Sequence, residues 1–244
     1  ITCDSSVYGV ASVTIVEIMG RHAGWLAAST CVLHAIGLSS PHLVYLPESN
    51  FTLEGFYNDV EEQLRLHKSV IVCISEGIDL STFGIDYTSG KVDNFGHKYL
   101  SGAGKALENL IGDKFGVKVR SIELNVMQRS GSHIASKTDL DEAEAIGSAA
   151  VAAALNGETG KMMAFKRVSN NPYKVEIKPV DANLVANNEK KFPTEWLNEK
   201  GNNIKDEALE YFLPLIEGEN EIVYSKGLPV HLKPFNPQGS LYNK

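Results

Sequence analysis

Short β-branched runs alternate with amphipathic or small-residue stretches through the first half of the chain. Residues 13–18 (VTIVEI) are almost continuously apolar or β-branched, which predicts a strand buried on both faces. Residues 43–46, closed by Pro47, and residues 70–75 (VIVCIS) predict two more strands. Between the first two, residues 23–35 are dominated by small and apolar side chains and predict a buried helix ended by Gly37. Between the second and third, Phe56, Val60 and Leu64 recur at a spacing of four among Asp59, Glu61, Glu62 and Arg65, which predicts an amphipathic helix behind a Thr52 cap. The order β-α-β-α-β, with helices long enough to serve as crossovers, predicts an α/β fold with a parallel sheet covered by helices.

Residues 78–95 are rich in Gly, Ser, Asp and Asn and predict a long irregular excursion. A helix is expected over roughly 99–111 and a strand over 117–124. Residues 139–155 give the clearest helix, with Ala143, Ile146, Ala150, Ala153 and Ala154 offering small-residue packing faces. Asp139, Asp141 and Glu142 load its first turn, where the helix dipole favours anions, and Asn156 and Gly157 stop it. Two strands, 162–168 and 173–177, are expected around the turn at Asn170, Asn171 and Pro172. Beyond Asn187 the chain is polar, with a weaker helix near 206–215.

Composition narrows the function classes. With 244 residues, 43% of them hydrophobic and 22% charged, the chain can build a real core and is neither disordered nor fibrous in type. Its net charge of −7 opposes broad nucleic-acid or anionic-membrane binding, and its apolar runs are too short for a helix to span a bilayer. Cys3, Cys31 and Cys73 lack metal-ligand spacing and read as reduced thiols of a cytosolic protein; the seven histidines show no paired metal spacing either. The chain opens on Ile1, and we expect it to be part of a longer protein.

In open parallel sheets ligands sit beyond the carboxyl ends of the strands, so the residues there come first. Gly20 permits a tight turn or close backbone approach, and Arg21 follows it where a helix begins; the same pair also suits a turn glycine and a solvated arginine. Glu76 ends the third strand with Gly77 beside it, as an acceptor for sugar hydroxyls or as an ordinary loop acid. Arg120 and Arg129 flank the strand that leads to Met127 and Gln128, and two arginines can neutralise a phosphate dianion or form separate surface ion pairs. Gly102, Ala103, Gly104 and Lys105 lack the first glycine and the final hydroxyl of a phosphate loop and read as a packed helix.

Taken together these segments resemble the phosphofructokinase family. Residues 13–28 (VTIVEIMGRHAGWLAA) resemble its Met-Gly-Arg signature, closest to bacterial pyrophosphate-dependent members; residues 75–77 resemble the strand-end acid, and residues 117–132 (VKVRSIELNVMQRSGS) the Gln-Arg motif. The resemblance, over roughly residues 13–167, implies a three-layer α/β/α fold with a mainly parallel sheet. It divides the chain into a fructose 6-phosphate-binding unit (1–137) and a C-terminal unit (138–244) that packs against the donor-binding domain.

It further implies phosphoryl transfer from pyrophosphate to the 1-hydroxyl of fructose 6-phosphate, with Mg²⁺, in a cytoplasmic dimer or tetramer; the alternatives are an ATP-dependent 6-phosphofructokinase and a non-catalytic regulatory subunit. Met19 and Gly20 would contact the sugar through the backbone, and Arg21 the transferring phosphoryl group as the catalytic residue. Glu76 would hold hydroxyls, Arg129 the 6-phosphate, and Arg120 would reach into a neighbouring subunit's site. Val126 and Ser12 stand where ATP-dependent bacterial members carry a histidine and an arginine, and Lys98 or Lys137 are candidates to compensate. The family's Gly-Gly-Asp donor loop and Thr-Ile-Asp-Asn-Asp stretch do not occur in these 244 residues, so the expected chain is a fragment inactive by itself.

Overall fold

The computed structural model describes residues 1, 3, 7, 9–85, 88–92, 98–100 and 102–230, with backbone alone for 88–92 and 98–100. Phe95, His97, His231 and the Lys98 side chain lie outside that description. Strands β1 (Ser12–Ile18), β2 (Leu43–Tyr45) and β3 (Ser69–Ser75) are followed by a small antiparallel pair, β4 (Thr88–Val92) and β5 (Lys98–Leu100), and then β6 (Lys118–Glu123). β2, β3, β1 and β6, in that order, form a parallel sheet. Its register sets Ile18 beside Ser75 and Glu17 beside Glu123, so the three longer strands end together.

Both faces of β1 and β3 are buried, and this is why their sequences do not alternate. One face carries Val13, Ile15, Val70, Val72 and Ile74 against Phe56 and Val60 of α2 (Leu53–Leu66) and Leu107 and Ile111 of α3 (Ala103–Phe115). The Thr52 side chain accepts the Gly55 N–H at 3.1 Å and caps α2 as expected. The other face carries Val16, Ile18, Ile71 and Cys73. It packs against Ala27, Ala28 and Cys31 and against Phe192, Leu197, Ile204, Ala208 and Phe212 from the far end of the chain. Helix, sheet and helix make three layers, and residues 192–212 of the expected second unit share the core of the first.

Several elements differ in detail. The helix expected over 23–35 is α-helical only in α1 (Trp25–Ala28) and continues as 3₁₀ over Ser29–Ile36. Ser29 and Thr30 hydroxyls donate to the carbonyls three residues back, Leu26 and Ala27, at 2.7 Å each, which suits the tighter winding. α3 begins four residues later than expected because Tyr99 and Leu100 belong to β5, and the stretch after Ile78 holds a 3₁₀ turn and β4. After α4 (Met127–Ser130), helix α5 (Lys137–Leu155) starts early under a Ser136 cap, leaving only Asp139 of the expected acids in its first turn. None of its residues is buried: of the expected packing positions Ile146 and Ala153 are half-buried and Ala143, Ala150 and Ala154 are exposed. The antiparallel strands β7 (Lys161–Asn170) and β8 (Tyr173–Asp181) follow.

One core contact has a pH consequence. The buried His42 accepts the Ile71 N–H on Nδ1 at 2.9 Å, its ring 4.3 Å from that of His67. Burial, then the neighbouring His67, pushes its pKa down to about 4. Between the ordinary histidine value of about 6.5 and that value the unfolded chain binds a proton that the native state refuses, so stability is lost as pH falls through this window. The urea midpoint should drop between pH 7 and pH 5, and His42→Asn, which keeps an acceptor for Ile71, should show a smaller drop. Equal drops in both proteins would rule His42 out as the cause.

Candidate functional site

The three strand ends flagged from the sequence meet through hydrogen bonds. Glu76 donates its backbone N–H to the Ile18 carbonyl at 2.9 Å, and Leu124 donates to Glu17 at 3.0 Å, which carries the sheet alignment one residue past each strand. From there the Glu76 carboxylate folds back. Its Oε1 accepts the N–H of Gly20 at 3.1 Å and of Arg21 at 2.9 Å. From the third side the Gln128 side-chain oxygen accepts the Met19 N–H at 2.7 Å. The turn is closed internally by Ala23 N–H to the Gly20 carbonyl at 3.0 Å.

Glycine is required at two of these points. Gly20 has φ of 154°, and a Cβ there would lie 2.8 Å from the Ala23 oxygen. A Cβ on Gly77 would lie 1.5 Å from the Arg21 oxygen, so Gly77 is where one strand end touches the backbone of another. Arg21 itself takes the left-handed conformation at φ 47°, which costs about 1 to 2 kcal/mol for a residue with a side chain and persists only under restraint from outside.

Chemically, two consecutive amides aimed at one oxygen form a donor pair suited to an anion, here filled by Glu76. Glu76 Oε2 takes no hydrogen bond from the described residues. Arg21 and Arg129 are exposed, and the Arg129 guanidinium, one residue beyond the Gln128 tether on α4, makes no ion pair among the described residues. Arg120 is half-buried opposite Thr14, inside β6 and three residues short of its end. Lys137 pairs with its own helix, its Nζ 2.6 Å from both Asp141 oxygens. Gly102–Lys105 open α3 as expected, but with a purpose the sequence hid: the Gly104 N–H donates to buried Glu17 at 2.7 Å. Burial pushes the Glu17 pKa up against that N–H, and Glu123 and Glu76 add to the rise.

The sequence pattern does not single out Glu48. It follows the end of β2 by three residues, so the strand-end rule that found Glu76 extends to it. Its carboxylate accepts the Gly24 N–H at 3.2 and 3.1 Å and the Phe192 N–H at 2.8 Å.

With this geometry in place the comparisons decide the family. The phosphofructokinase family model matches residues 2–154. The chain belongs to the phosphofructokinase family. It is 37% identical over 219 residues to a pyrophosphate–fructose 6-phosphate 1-phosphotransferase of Halomonas elongata, covering 89% of this chain and 52% of that one. The counterpart of that name from Xanthomonas campestris is 38% identical over 222 residues, covering 90% and 53%. A pyrophosphate-dependent phosphofructokinase from Marinobacter aquaeolei superposes with a TM-score of 0.77 at 32% identity, over 94% of this chain and 54% of that one. The fold is therefore that of the phosphofructokinases, and the chain spans about half the length of these relatives.

Proposed function

We propose that this chain is the sugar-phosphate-binding part of an enzyme that transfers a phosphoryl group from pyrophosphate to the 1-hydroxyl of fructose 6-phosphate. The observation that supports it most is the hydrogen-bonded convergence of Met19–Gly20–Arg21, Glu76 and Gln128–Arg129 at the carboxyl ends of adjacent parallel strands. The names of the pyrophosphate-dependent relatives give the reading its donor.

In this reading the Met19 and Gly20 backbone lies along the sugar, and Arg21 offers its guanidinium to the transferring phosphoryl group. Glu76 has one oxygen committed to the turn and offers Oε2 to hydroxyls. Arg129, whose guanidinium makes no ion pair among the described residues, takes the 6-phosphate, while Arg120 serves a site shared with a second subunit of a homo-oligomer. Residues 1–137 act as the sugar-phosphate unit, and the outlying α5 and β7–β8 face the donor-binding part. The whole enzyme works in the cytoplasm with Mg²⁺, which would neutralise charge on the transferring phosphoryl group. Among the described residues no three His, Cys, Asp or Glu side chains cluster to hold that metal, and no helix is long and apolar enough to cross a membrane.

Calorimetric titration of the chain with fructose 6-phosphate, and with fructose as the phosphate-free control, tests this. Arg129→Ala should weaken fructose 6-phosphate binding by about 1.5 to 3 kcal/mol, roughly ten- to a hundredfold, with no change toward fructose. Equal affinity of parent and variant for fructose 6-phosphate would remove Arg129 from the site.

A further inference from the structure

The turn that carries Arg21 is restrained from two sides, and only one of them belongs to the strand-end cluster. On the first side Glu76 holds the Gly20 and Arg21 amides. On the second, residues 190–192 return from the far end of the chain and grip the residues immediately after Arg21. Lys191 donates from Nζ to the His22 carbonyl at 2.6 Å. The Trp25 indole N–H donates to the Lys190 carbonyl at 2.7 Å, and the Trp25 and Phe192 rings meet edge to face at 5.2 Å. Glu48 joins the two segments, because one carboxylate accepts both the Gly24 and the Phe192 N–H. A Cβ on buried Gly24 would lie 2.6 Å from the Leu46 Cβ, so the turn is also pressed against the exit of β2.

Arg21 sits at φ 47°, a conformation that is costly for a residue with a side chain and draws on restraint from its surroundings. We propose that Glu48 is a positioning residue for the sugar-phosphate site: with Lys191 it latches the Arg21 turn to residues 190–192, so that the far end of the chain sets the geometry of the site. Without the latch the turn keeps its strand-end contacts to Glu76 and Gln128 but loses the restraint on the residues after Arg21, and the Met19–Gly20 backbone and the Arg21 guanidinium lose their alignment. The part concerning ligand affinity rests on the proposed function; the part concerning the turn does not.

The test uses the 244-residue chain carrying Glu48→Ala, Glu48→Gln, Lys191→Met, or Glu48→Ala with Lys191→Met. Hydrogen exchange in the peptide covering residues 18–25 should quicken at least tenfold in Glu48→Ala, while the β7–β8 hairpin exchanges as before. Fructose 6-phosphate affinity, measured well below the melting temperature on fully folded protein, should fall about five- to tenfold. Glu48→Gln, which keeps one acceptor, should recover part of both effects. The double variant should fall within twofold of Glu48→Ala, since both residues restrain one turn. Exchange that rises uniformly, or does not rise at residues 18–25, overturns the latch. So does unchanged affinity in folded Glu48→Ala when the parent binds. If the parent itself does not bind fructose 6-phosphate, the functional reading fails, and the exchange pattern alone decides whether the latch exists.

Discussion

Gly77→Ala should lose at least about 3 kcal/mol of stability, the upper part of the range for overpacking, together with more than tenfold in fructose 6-phosphate affinity. The added Cβ would stand 1.5 Å from the Arg21 oxygen and 2.5 Å from its carbonyl carbon. Both obstacles are backbone, so no side-chain rotation relieves them. Moving the turn away breaks the two N–H bonds to Glu76, the residue next to the substitution, and these bonds are what gather the strand ends. Moving Gly77 away instead pulls on Glu76 N–H to the Ile18 carbonyl. Gly147→Ala is the control. It lies in α5 with nothing within 4 Å of the position of a Cβ, so alanine there should stabilise by about 0.5 to 1 kcal/mol through helix propensity. Urea unfolding and calorimetric titration of both variants make the comparison, and a Gly77→Ala protein with parental stability and affinity would show that the strand ends do not meet in this way.

Phe192→Ala is expected to cost about 3 to 5 kcal/mol, a large share of the stability of an ordinary domain. The side chain is 2% exposed. Its ring meets Trp25 at 5.2 Å and Trp196 at 5.7 Å edge to face, and stacks on Phe212 at 6.4 Å with planes 6° apart. Removing it empties the centre of the layer that residues 192–212 lay over Val16, Ile18, Ile71 and Cys73. The denaturation midpoint measures the loss, and tryptophan emission should shift because both Trp25 and Trp196 border the vacated space. A loss under about 1 kcal/mol would mean that residues 192–212 are not part of the core. The contrast with α5 is instructive: alanine substitutions at its exposed Val151 or Leu155 touch no buried contact and should stay within about 0.5 kcal/mol.

The amino-acid sequence by itself determined the parallel sheet, the helices on it and the three strand ends where ligand chemistry gathers. Those features have local signatures. A strand buried on both faces, such as 13–18, is written as an unbroken β-branched run, α2 as a period of four behind Thr52, and a ligand-facing turn as Gly20 and Gly77 directly after strands. Tertiary structure alone decided how the pieces are held. The strand-end position of Glu76 fits a ligand acceptor or a loop acid, yet one of its oxygens is taken by the Gly20 and Arg21 amides, contacts between residues more than fifty apart that no short-range pattern encodes. Glu48 reaches Phe192 across 144 positions, and Trp25 finds its aromatic neighbours in a stretch that reads as a polar tail. The alanine faces of α5 have the spacing of a packed helix, yet among the described residues none of them is fully buried. Periodicity records which side of an element is apolar; the partner that covers that side, or leaves it bare, is chosen by chain segments whose return to the sheet leaves no mark on the local sequence.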